Sequence, residues 1–166
     1  MANKASFAPD EWQQLLQSPM LASMAVTAAE PSGLWGMLKE SFAAGGILAK
    51  AKTDPGANEL IKAVVADFDT DEGRSAARDG LQARLSGSKP ADIKDKAVEG
   101  LRQVATLLEA KAPSDAAAFK SWLQSIGQHV AEAAKEGGFL GFGGVQVSDA
   151  EKATLAEISQ ALKLQA

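Results

Sequence analysis

The chain has 166 residues, a formal net charge of -4 and no cysteine. That length suits one domain with a real core. The acidic balance, with no stripe of Lys or Arg, argues against a nucleic-acid surface. The lack of cysteine removes disulfides, thiol nucleophiles, iron–sulfur clusters and cysteine-ligated zinc.

The hydrophobic fraction is 46% and there is no tyrosine. Much of the apolar content is alanine, the best helix former and a residue that buries little area. Runs of Val, Ile and Thr suited to strands are nearly absent. The expected product is an all-α, single-domain bundle over residues 1–166. Met1 to Ser6 lacks the apolar region of a signal peptide, and no run is long enough for a transmembrane helix. A soluble, cytoplasmic protein of bacterial type is the expectation.

Ala8-Pro9-Asp10-Glu11-Trp12 reads as a helix start, with Pro9 at the first position and two acids at the positive end of the dipole. Trp12, Leu15 and Leu16 form its apolar side. Ser18-Pro19 reads as the cap and start of a second helix carrying Met20, Leu21, Met24 and Ala28, which Pro31 breaks. Ser32 caps a third helix, with Leu34, Leu38, Phe42, Gly45 and Leu48 at helical spacing and Trp35 beside them. Gly45-Gly46 within it is either a kink or a close contact with a neighbouring helix.

Asp54-Pro55 is expected to start a fourth helix with the stripe Leu60, Ile61, Val64, Val65 and Phe68. Thr70 caps a fifth, with Asp71 and Glu72 in its first turn. Ala77, Leu81 and Leu85 face inward there, and Arg74, Arg78, Asp79 and Arg84 face solvent. Pro90 opens a sixth helix with Ile93, Ala97, Leu101, Val104, Leu107 and Leu108 on one face. A seventh follows Pro113 and carries Phe119, Trp122, Leu123, Ile126 and Val130. Ser148 and Glu151 then form a capping box for a last helix, whose core face is Leu155, Ile158 and Leu162. The total is roughly eight helices and no sheet.

Between the last two helices runs Gly137-Gly138-Phe139-Leu140-Gly141-Phe142-Gly143-Gly144-Val145-Gln146-Val147. Glycine loosens a backbone and phenylalanine seeks burial or a partner, so a stretch with both is unusual. Phe139, Leu140 and Phe142, with Gly141 and Gly143, are the candidate binding residues: an apolar patch for a partner protein, a lipid surface or an apolar ligand. The plain alternative is that the aromatics fold back and plug the bundle. No strand precedes the glycines and no Lys-Ser/Thr follows them, so this is not a nucleotide loop.

Thr27–Gly36 and Glu132–Gly141 match at four of ten positions. Both leave an alanine-rich helix through a Gly-apolar-apolar-Gly turn. The match is either an internal pseudo-duplication or the coincidence that an alanine-rich chain readily produces. The second segment, continuing through Gly144-Val145-Gln146-Val147-Ser148-Asp149-Ala150-Glu151 to Leu155 and Ile158, resembles the second half of the TerB-like family associated with tellurite resistance. The resemblance implies an all-helical fold with internal duplication and a metal-binding stress-response role. That family's turn usually reads Ala-Asp-Gly-Glu. Its acidic residues, taken as metal ligands, fall where this chain has Gly143, Gly144 and Val145, so the fold carries over more readily than the metal site.

Asp67, Asp69 and Asp71 alternate as in a calcium loop, but glycine stands seventh instead of sixth, and Arg78 stands where the bidentate Glu belongs. A helix end followed by a Thr70 cap explains them more simply. His129 is the only histidine and cannot build a multi-histidine metal site. Glu132 and Glu136 follow it at helical spacing, so a pairing with either is open. Trp12, Trp35 and Trp122 sit at core positions. No serine has an evident histidine partner. The residues therefore point to a non-enzymatic binding module with no metal, cofactor or nucleic-acid partner. A TerB-like metal-binding protein is the alternative.

Overall fold

The computed structural model describes residues 1–29, 46, 48–54, 57–136 and 147–164, except the side chains of 133–136. Within them lie seven α-helices and no strand. They are α1 (Pro9–Thr27), α2 (48–53), α3 (Glu59–Phe68), α4 (Asp71–Leu85), α5 (Ile93–Lys111), α6 (Pro113–Glu136) and α7 (Asp149–Ala161). Short 3-10 turns cover Lys4–Ser6 and Pro90–Asp92. The expected helix from Ser32, Trp35 with it, the Gly45-Gly46 pair as a whole, Pro55, residues 30–36 of the first matched segment and 137–141 of the second fall outside the described residues. So do Phe139, Leu140, Gly141, Phe142 and Gly143.

The centre of the bundle is α1. None of the residues from Glu11 to Thr27 is exposed, and α3, α4, α5, α6 and α7 all pack on it. A helix surrounded in this way keeps no fully exposed face over this stretch, although Gln13, Gln14, Met20, Ser23 and Met24 are only half-buried. Its start is locally encoded. The Glu11 carboxylate accepts the Ala8 backbone N–H at 2.8 Å, and Phe7 packs on Trp12 with ring centroids 5.9 Å apart. The aromatic pair straddles the first turn as a hydrophobic staple.

Ser18-Pro19 does not begin a new helix. Proline removes the N–H that would bond the carbonyl four residues back, a loss that normally kinks or ends a helix. Here the Ser18 hydroxyl donates to that same Leu15 carbonyl at 2.7 Å. The orphaned acceptor is satisfied, and one helix replaces the two expected.

The directions of the helices follow from their contacts. Glu11 pairs with Lys111 at 3.3 Å, while Leu21 lies against Gly100, where an added Cβ would sit 2.6 Å from Leu21 Cδ1. Hence α1 and α5 are antiparallel and cross closely at a glycine. α6 folds back on α5, so α1 and α6 run the same way. Ala2 bonds Asp115 near the start of α6 at 2.8 Å, and Val26 sits beside Gly127 further along. The chain therefore leaves α1 and α6 at the same end of the bundle.

α3 begins at Glu59 behind an Asn58 cap, later than the Asp54-Pro55 start expected. The Asn58 side chain accepts the Leu60 N–H at 2.9 Å, supplying the orphan donor's partner that a bare Pro start lacks. Leu60, Ile61, Val64 and Val65 are buried as the spacing predicts. Thr70 caps α4 by accepting the Gly73 N–H at 2.9 Å. Arg84 is half-buried, not solvated, because it lies across Gly100. On α7 the Ser148–Glu151 box is present. Glu151 N–H donates to the Ser148 hydroxyl at 3.1 Å, and Ser148 N–H donates to the Glu151 carboxylate at 2.9 Å.

Candidate functional site

The polar groups of two concave sites lined by described residues are spent differently. The first, about 270 Å³, lies where the N-terminal segment meets the α3–α4 turn and is lined by Lys4, Phe7, Trp12, Gln13, Asp67 and Gly73 among others. Asp67 accepts Lys4 Nζ at 2.9 Å and Trp12 Nε1 at 2.6 Å. Gln13 Nε2 donates to the Ala76 carbonyl at 2.9 Å. Burial works to raise the Asp67 carboxyl, but the Trp12 and Lys4 donors outweigh it and hold the group below its usual range.

The same geometry decides against a calcium loop. Asp69 is 2.5 Å from Lys52 and Asp71 pairs with Arg74 within its own helix. Each of the three carboxylates thus has its own cation instead of converging on one point. Among the described residues no three His, Asp or Glu side chains gather to hold a metal ion.

The second site is a cleft of about 360 Å³ between α2, α3 and α6. α6 supplies Ala118, Trp122, Ser125 and His129, spaced so that all four lie on one helical stripe. α2 and the residue after it bring Lys50, Ala51 and Asp54, and the start of α3 brings Asn58 and Ile61. A buried carboxylate holds these walls together. Asp115, 2% exposed, accepts the Ala2 N–H and Asn58 Nδ2, both at 2.8 Å. Burial works to raise this carboxyl, and the Ala2 and Asn58 donors outweigh it and hold the group below its usual range.

Within the cleft, Ser125 and His129 are tied to their own helix. The Ser125 hydroxyl donates to the Trp122 carbonyl at 2.7 Å. His129 Nδ1 lies 2.8 Å from the Ser125 carbonyl. A carbonyl only accepts, so Nδ1 carries the proton. The serine hydroxyl is not offered to the histidine, and the two do not form a nucleophile–base pair. Glu132, one of the two acids open to His129, bonds Gln128 at 2.9 Å instead.

Trp122 and Lys50 also line the cleft. Trp122 is 8% exposed and packs edge-on against Phe119 at 5.2 Å, but its indole N–H has no acceptor. A buried donor left this way costs about 1–3 kcal/mol. Lys50 is exposed and makes no ion pair among the described residues. Of the α6 residues here, the expected inward stripe of Phe119, Trp122, Leu123, Ile126 and Val130 held only Trp122, and His129 stood out as the only histidine. Lys50 and Asn58 carried no local signal, because only folding brings α2 and α3 to α6.

Among the described residues no helix is long and apolar enough to cross a membrane. Comparison with family models, with curated proteins and with solved structures finds no match for the chain.

Proposed function

We propose that this protein is a non-enzymatic binding module that offers Phe139, Leu140 and Phe142, set between glycines, to a protein partner or an apolar ligand. The observation that supports this reading is the parallel course of α1 and α6, drawn from the Ala2–Asp115 and Val26–Gly127 contacts. Both Gly-apolar-apolar-Gly sequences, Gly33–Gly36 and Gly138–Gly141, follow helices that end on the same side of the bundle. Their common point of departure fits one shared surface, whether or not an internal duplication produced it. The arrangement of Ser125 and His129 fits binding better than catalysis. No observation favours the TerB-like metal-binding alternative.

The test is to unfold Phe139→Ala and Phe142→Ala side by side. Phe139 is expected to act as an anchor, so its loss should cost about 3–5 kcal/mol. Phe142 is expected to face a partner, so its loss should change stability by no more than about 0.5 kcal/mol. Equal, large losses for both would make the stretch core structure and end the binding-loop reading.

A further inference from the structure

We propose that the Met1–Ala2 bond is a processing site, and that Asp115 is the socket for the α-ammonium group which cleavage leaves on Ala2. Asp115 stands near the start of α6 and is 2% exposed. It accepts the Ala2 N–H and Asn58 Nδ2, both at 2.8 Å, and the Ser114 hydroxyl at 3.4 Å. Every one of these donors is neutral. Among the described residues no Lys, Arg or His side chain pairs with it. A buried charge costs stability unless it is paired, so this corner lacks a cation.

The Ala2 nitrogen is placed to supply it. Hydrolysis by a peptidase adds water across the Met1–Ala2 amide. The carboxylate leaves with Met1, and the amino group stays on Ala2 and takes up a proton at neutral pH. That nitrogen already sits at hydrogen-bond distance from Asp115 Oδ2, so the neutral bond becomes a charge-assisted one, roughly twice as strong, without moving the backbone. A positive charge already acts on this carboxylate from one residue away. Burial works to raise the Asp115 carboxyl, and the Ala2 and Asn58 donors, then the Met1 ammonium, oppose it. Met1 is 90% exposed, so its loss empties no core position and leaves the remaining ammonium protons to water. The Ala2 side chain packs on the core and holds the residue in place. With Asn58 capping α3, the new end ties the N-terminal segment, α3 and α6 to one carboxylate.

The intact mass of the chain expressed without a fusion partner should show Met1 absent. Chains released from a removable N-terminal fusion, so as to begin at Met1 or at Ala2, are unfolded in urea at about pH 6.5, below the usual α-amino pKa of about 7.7–8.0. The unfolding constant of the Ala2 form should be at least about fivefold smaller. Enzymatic Nα-acetylation of Ala2 keeps the N–H but removes the charge, and should return stability to that of the Met1 form. Asp115→Asn should erase the difference between the two starts, and the acetylated chain decides the matter if that variant does not fold. Retention of Met1, equal unfolding constants for the two starts, or an undiminished gain after acetylation would each overturn the proposal.

Discussion

Trp12 and Trp122 sit in closely matched settings at two corners of the bundle. Both are buried, at 3% and 8% exposure, and each packs on a phenylalanine in its own segment, Phe7 and Phe119. Each also lines a concave site. They differ in the fate of one hydrogen. The Trp12 N–H meets Asp67 at 2.6 Å, while the Trp122 N–H meets nothing. At the first corner every named polar group answers another from the same chain, which is what a structural joint requires. At the second, the indole donor is sealed from solvent without an acceptor, and Lys50 makes no ion pair among the described residues.

The largest effect should come from breaking the first corner at its backbone. A Cβ on Gly73 would lie 2.0 Å from the Asp67 carbonyl oxygen, a distance no side chain can relieve because the obstacle is main chain. Gly73→Ala is expected to cost more than about 3 kcal/mol, at the severe end of overpacking. A denaturation midpoint near wild type would show that the α3–α4 turn is not the rigid joint described.

Next in size is Trp12→Phe, which removes a hydrogen bond to a charged group and should cost about 1.5–3 kcal/mol. It should also change the response to acid. In the fold, the Trp12 and Lys4 donors hold the Asp67 carboxyl below its usual range against the effect of burial. A depressed carboxyl contributes stability above its unfolded pKa, about 3.9. That stability is lost as pH falls through the folded value. Removing Trp12's donor raises the folded value toward the unfolded one. The variant's stability should therefore fall less steeply in acid than the wild type's, as measured by urea midpoints between about pH 5 and pH 2. A parallel fall would mean the indole contributes nothing to the Asp67 carboxylate.

The smallest effect belongs to Trp122→Phe. It opens the same kind of cavity as Trp12→Phe but discards a donor that had no partner. The cost should stay within about 1 kcal/mol. The difference between the two tryptophan variants isolates the hydrogen bond. Equal costs would erase the contrast between the corners.

Several features of this fold follow from short stretches of sequence. Ser148 and Glu151, Thr70 with Gly73, and Glu11 between Phe7 and Trp12 act across three to five residues, where local geometry leaves little choice. The stripe on α6 and those on α3, α5 and α7 were readable because burial follows the helical period. What local pattern misjudged was Ser18-Pro19. A proline usually marks a boundary, but the Ser18 hydroxyl and a fully buried setting carry the helix through it. Arg84 likewise looked solvated until α5 brought Gly100 beneath it.

Only the tertiary structure decided which polar groups meet. Lys4 and Trp12 reach Asp67 across more than fifty residues, as Ala2 and Asn58 reach Asp115. Such pairs carry no period and no spacing, because they depend on how whole helices cross. The same holds for the cleft, where Lys50 and Asn58 come to Trp122 and His129 from separate elements. Helix type and capping are local free energies summed over a few residues. The pairing of charges, and the donor left unpaired beside them, is fixed only when packing brings distant surfaces together.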